Sequence, residues 1–129
     1  MAAYRGETPI LLEDTGTDVA RMRSGALARA VAAGDKVVES ILRNAADLIG
    51  VAVANVVLLV GPDVVVLGGG LVEEMPKLFV DRVAKSANGR VMSSFVDTFE
   101  VVVAKLGDDA SVMGAAAWAE KVVSENAGP

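Results

Sequence analysis

Three consecutive glycines, Gly68-Gly69-Gly70, stand directly behind the apolar run Val64-Val65-Val66-Leu67 and ahead of a helix-like stretch from Val72. Residues without a Cβ let the backbone turn sharply and let another group come close to it. The free N–H groups that open the following helix favour an anion or a polar ligand. The chemistry suited to this stretch is binding against bare backbone. The other candidate groups are acidic. Asp108-Asp109 could form a paired-carboxylate acid/base site, but acids in a turn just ahead of a helix stabilise the helix start directly. Glu73 and Glu74 lie close enough to the glycine turn to hold Mg²⁺, yet first-turn acids already answer the helix dipole. The sequence therefore assigns no catalytic residue and no metal ligand. Asn55 is polar among apolar neighbours and is read as bonding to its surroundings, as such residues do.

Composition removes whole classes of function. The chain has no His and no Cys, so disulfides, Cys/His zinc sites, Cys nucleophiles and His-based triads are excluded. Its net charge is −5 and no Lys/Arg cluster stands out, which argues against a nucleic-acid surface. The aromatic share is only 4%, so the core must be aliphatic, and Phe79, Phe95, Phe99 and Trp118 read as core or interface residues. The N-terminus lacks the basic and apolar regions of a signal peptide. The longest apolar run, Leu48 to Gly61, is broken by Asn55 and falls short of the roughly 18 residues a membrane span needs. A soluble, cytoplasmic chain is expected, and the lack of cysteine fits a reducing compartment.

The elements that must hold the glycine turn follow from pattern. At 129 residues the chain is one domain or a piece of one. Residues 1–23 hold no sustained period and read as an irregular segment. Ser24 is the expected cap of a short helix, Ala26 to Ala33, closed by Gly34. Asp35 is the expected cap of a much longer one. Its apolar positions, from Val38, Ile41 and Leu42 to Leu59 and Val60, recur at helical spacing. A polar side persists through Asp47 and then fades, so the second half is expected to be buried all round, although its valines also suit a strand. Gly61-Pro62 ends it. Val64 to Leu67 reads as a strand covered on both faces, and a helix from about Val72 carries Pro76 early and fades by Gly89. Glu100 to Leu106 is the second strand. A last helix, Ala110 to about Ser124, is unusually small-sided and suited to close packing, and residues 126–129 form a tail. Strand, helix, strand makes a parallel βαβ unit. Two strands do not make a stable open sheet, so further strands or a partner chain are expected to cover it.

Three stretches carry a family resemblance: SGALARAVAAGD (24–35), ANVVLLVGPDVVVLGGGL (54–71) and LGDDASVMGAAAWA (106–119). In order and spacing they resemble the C-terminal part of the ROK family of bacterial sugar kinases and sugar-responsive repressors. The resemblance runs from about Ser24 to Trp118, within an expected domain portion of residues 24–125. It implies an α/β fold that is part of an actin-like ATPase (ribonuclease H-like) domain. It implies that Gly68, Gly69 and Gly70, with Leu71 beside them, contact ATP in an interdomain cleft, and that the protein is a homo-oligomer.

The chain also departs from the family. It has no DxGGT-type phosphate motif, no NDxN-type segment with the aspartate that acts as base on the sugar, and no zinc-binding His/Cys cluster. The expectation is a C-terminal piece of a longer protein, inactive alone, whose whole form is an ATP- and Mg-dependent, glucokinase-like sugar kinase. The alternative is the ligand-sensing part of a ROK-type transcriptional repressor.

Overall fold

A computed structural model describes residues 10–11, 16 and 18–126. The earliest described residues are not detached from the body. Leu11 is helical and buried, and its N–H donates to Asp35 Oδ2 at 3.1 Å. Residues 1–9, 12–15, 17 and 127–129 lie outside the described residues, and with them most of the expected irregular start and the tail.

The first long elements are α1 (Ser24–Ala32) and α2 (Lys36–Val60). Ser24 is not the cap of α1; Arg23 holds that position without a side-chain hydrogen bond, and Ser24 is the first helical residue. Asp35 does cap α2. Its Oδ1 accepts from the backbone N–H of Val37 and Val38, each at 3.0 Å, satisfying two of the donors that open a helix. Gly61 ends α2 in the left-handed region at φ 62, where a residue without a Cβ meets no steric penalty. The valine-rich second half is helical to Val60 and not a strand.

Strand β1 (Val64–Leu67) follows, then α3 (Gly70–Glu74), α4 (Pro76–Asn88), β2 (Glu100–Val103) and α5 (Ala110–Asn126). The single helix expected from Val72 is two helices. Pro76 has no N–H to give and drives Met75 out of the helical region, to φ −135 and ψ 56. Proline thus opens α4 instead of sitting inside an earlier helix. Strands β1 and β2 pair in parallel, with Val65 opposite Val101 and Leu67 opposite Val103. The pairing continues one step further, where Ala104 N–H donates to the Leu67 carbonyl at 2.8 Å.

The core lies between α2, α4 and one face of the sheet. Leu42, Val53 and Val57 of α2 meet Phe79, Val83 and Ala87 of α4, with Phe99 and Val101 beneath. Helices α2 and α4 cross at Gly50. A Cβ placed there would lie 2.4 Å from Ser86 Cβ, 2.5 Å from Ser86 Oγ and 2.9 Å from the Val83 carbonyl oxygen. Ser86 Oγ donates to the Asp47 carbonyl at 2.7 Å, and Arg82 pairs with the Asp47 carboxylate at 2.8 Å.

Three expectations about cover are corrected. The second half of α2 is buried on one side only: Val57 is 0% exposed and Leu59 85%. Strand β1 is likewise open on one face, with Val64 and Val66 exposed. Helix α5 does not pack closely on anything described; all its residues are exposed, Trp118 at 66%. Apolar periodicity in a sequence marks surface that needs a neighbour, and the described residues supply that neighbour on one side only. By length and hydropathy alone α2 could cross a bilayer, but its inner side is taken by α4 and carries the Asp47–Arg82 pair.

Candidate functional site: the glycine turn at the carboxyl end of the sheet

Parallel strands bring the segments that follow them to the same edge, and in open α/β sheets that edge is where ligands collect. Here two loops meet there. The first is Gly68-Gly69-Gly70 after β1; the second runs from Ala104 through the 3₁₀ turn Gly107–Asp109 after β2. The hydrogen bond from Ala104 to Leu67 fixes them side by side.

All three glycines of the turn are exposed. Gly69 has φ 102 and ψ 156, a backbone conformation that only glycine adopts readily. A Cβ at Gly69 would meet nothing within 4 Å, and one at Gly68 would meet Ala104 Cβ at 3.6 Å. At Gly70 a Cβ would come 3.0 Å from Ser24 Oγ. The start of α1 therefore closes one side of the turn while the other stays bare. Leu71 is half-buried and turns its side chain to the core. The Gly69 carbonyl accepts from Val72 and Glu73 N–H, at 2.9 and 3.1 Å, which ties the turn to α3.

The two acids of α3 diverge. Glu74 Oε1 lies 3.5 Å from the Cβ position of Gly25, with Arg29 Nη1 at 3.7 Å from the same point, so it faces α1. Glu73 reaches the second loop, with Oε1 at 3.5 Å and Oε2 at 3.9 Å from the Cβ position of Gly107. The sequence singled out Gly68 to Leu71; it did not bring Ser24, Ala104 and Gly107 to the same place. The signal was available, because a parallel pair must deliver both following loops to one edge. Asn55 is exposed and needs no partner, and Asp109 is exposed in the 3₁₀ turn ahead of α5. Among the described residues no group of three or more acids is placed to hold a metal.

A separate depression of about 460 Å³ between α2 and α4 is lined by Arg43, Lys77, Leu78, Asp81, Arg82 and Lys85. Arg43 and Arg82 are already paired with Glu39 and Asp47, at 2.7 and 2.8 Å. With Asp81 also in the wall, little net positive charge is left for an anion.

The sequence pattern of the ROK family matches residues 10–122. The chain belongs to the ROK family. A glucokinase of Thermotoga maritima is 35% identical over 83 residues, covering 64% of this chain and 26% of that protein. Among solved structures, a ROK family glucokinase of Streptomyces griseus, in complex with glucose and AMPPNP, superposes with a TM-score of 0.72 at 26% identity. That match covers 84% of this chain and 35% of the glucokinase. A candidate sugar kinase of Cytophaga hutchinsonii gives a TM-score of 0.68 at 23% identity, over 85% of this chain and 39% of the other, and shows the shared fold. The chain thus spans about a quarter of the curated relative and little more than a third of these solved structures.

Proposed function

We propose that this chain is the nucleotide-facing portion of a ROK-type, glucokinase-like sugar kinase with an actin-like ATPase fold. The observation that carries the reading is the exposed glycine turn at the carboxyl end of two parallel strands, in a chain matched to this family over residues 10–122. The S. griseus relative, complexed with AMPPNP and glucose, supports ATP and a hexose as the ligands.

The residues present fit the adenosine end of ATP. Gly68 and Gly69 offer backbone with no side chain in the way, and nothing lies within 4 Å of the side-chain position of Gly69. A flat ring can therefore rest directly on the peptide groups, as close approach to glycine allows. Ser24 holds Gly70 from behind, and the turn is fixed to α3 through the Gly69 carbonyl. When bound, ATP supplies the phosphoryl group that a kinase transfers. What this chain contributes is position, which with electrostatics carries most of such catalysis. The sequence holds neither a DxGGT-type phosphate motif nor an NDxN-type aspartate, so the chain by itself binds nucleotide without phosphorylating glucose. Magnesium would act with ATP in the complete kinase, and with neither His nor Cys this chain offers no Cys/His zinc site. We further propose a cytoplasmic location and a homo-oligomer.

The test is a calorimetric or NMR titration of the chain with ATP, beside a coupled ATP–glucose phosphorylation assay. The expected result is ATP binding that Gly69→Val abolishes, by straining a turn held at φ 102 as well as by filling its bare face, and that Gly68→Ala, free of that strain, weakens, with the helical circular dichroism unchanged and no glucose 6-phosphate formed. A folded wild-type chain that binds no nucleotide refutes the reading of the turn. Phosphorylation by the chain alone refutes the account of the catalytic aspartate.

A further inference from the structure

We infer that Glu73 is the sugar-hydroxyl acceptor of the nucleotide site, and that it orients the nucleotide with its ribose, not its phosphates, at the corner between the two loops. The inference rests on the nucleotide reading of the glycine turn and adds a residue and a polarity to it.

Glu73 is exposed at the first turn after the glycines, and its carboxylate spans to the second loop, 3.5 to 3.9 Å from the side-chain position of Gly107. Gly107 is in the left-handed region at φ 51 and presents no side chain of its own. The carboxylate therefore stands between two stretches of bare backbone, at the edge where β1 and β2 both end. No hydrogen bond or ion pair reaches it among the described residues. An ionised carboxylate is an acceptor only, with two oxygens suited to a pair of adjacent hydroxyls. It repels a phosphate placed at the same spot. Glu74, next in sequence, faces Gly25 and Arg29 instead. One acid of the pair is thus turned toward the site and the other toward α1.

The experiment uses adenosine and 2′-deoxyadenosine, which carry no phosphate and need no Mg²⁺, titrated by NMR into the wild-type chain and into Glu73→Gln, Glu74→Gln and Gly69→Val. A charged acceptor facing a hydroxyl predicts that the wild type prefers adenosine by about tenfold. Glu73→Gln is expected to cut that preference to about twofold or less, since a neutral acceptor bonds more weakly. Glu74→Gln is expected to keep it. If Gly69→Val abolishes binding while Glu73→Gln keeps the full preference, the role of Glu73 is overturned and the glycine-turn reading stands. If the folded wild type binds neither nucleoside, both fall. Because Glu73 is exposed, its replacement does not threaten the fold, and matching circular dichroism spectra confirm that.

Discussion

Gly50→Ala is the sharpest perturbation of this fold, because two opposing effects meet at one atom. In an ordinary helix interior, alanine is favoured over glycine by about 1 kcal/mol. At Gly50 the added methyl lands 2.4 Å from Ser86 Cβ, 2.5 Å from Ser86 Oγ and 2.9 Å from the Val83 carbonyl oxygen. Two of those atoms cannot rotate away, since one is a Cβ and the other backbone. Helix α4 must therefore retreat from α2, and overpacking of this kind costs about 1–3 kcal/mol or more. The retreat also loosens the hydrogen bond from Ser86 Oγ to the Asp47 carbonyl, at 2.7 Å, worth about 1 kcal/mol. The net expectation is destabilisation by about 1–3 kcal/mol, read by urea unfolding followed at 222 nm. Gly114→Ala is the matched comparison. Gly114 also lies inside a helix, but a Cβ there meets nothing within 4 Å, so alanine should raise helix content with no penalty. Equal or greater stability of Gly50→Ala would refute the close crossing of α2 and α4.

Two further predictions address charge and cover. Asp35 is buried, which by itself raises its pKa, but the backbone N–H groups of Val38, Leu11, Val37 and Ile10 more than offset this and hold it below its ordinary value of 3.8. A depressed carboxylate stabilises the fold above its unfolded pKa and loses that contribution as pH falls through the folded value. Stability should therefore decline in acid, below about pH 4, and Asp35→Asn should flatten the decline; an unaltered acid limb in urea unfolding at stepped pH would count against the cap. Val53→Asp should cost several kcal/mol, because it buries an unpaired charge, whereas Leu59→Asp, on the uncovered side of the same helix, should change stability by about 0.5 kcal/mol or less. Comparable losses of soluble protein in the two variants would contradict the one-sided burial of α2.

What was legible in the sequence was local. Asp35 ahead of a periodic run and Gly61 behind it mark α2 because cap and left-handed turn depend on single residues. The valine runs mark both strands, though β2 stops at Val103, short of Leu106, because its ladder ends where its partner turns away into glycine. Pro76 suits the early turn of a single helix by position alone, but its effect on Met75 divides α3 from α4. Nothing in the periodicity singles out Gly50, and only the crossing shows why a side chain is excluded there. The glycine turn itself stands out, but its neighbours are distant in sequence: the β1–β2 pairing brings Gly107 there, and the packing of α1 against α3 brings Ser24. Sidedness was the least legible, since an apolar residue declares its preference without naming what will cover it.

Among the described residues, helix α5 follows the sheet through the turn at Gly107–Asp109 and is exposed along its whole length. Its 17 residues make a rod about 25 Å long, so a rotation of about 10° at the turn carries the far end through about 4 Å. Gly107, with φ 51, stands in that turn, and it is the same residue against which Glu73 lies. Were the turn to rotate, Trp118, part-way along that rod, would be carried farther than any residue beside the glycine turn.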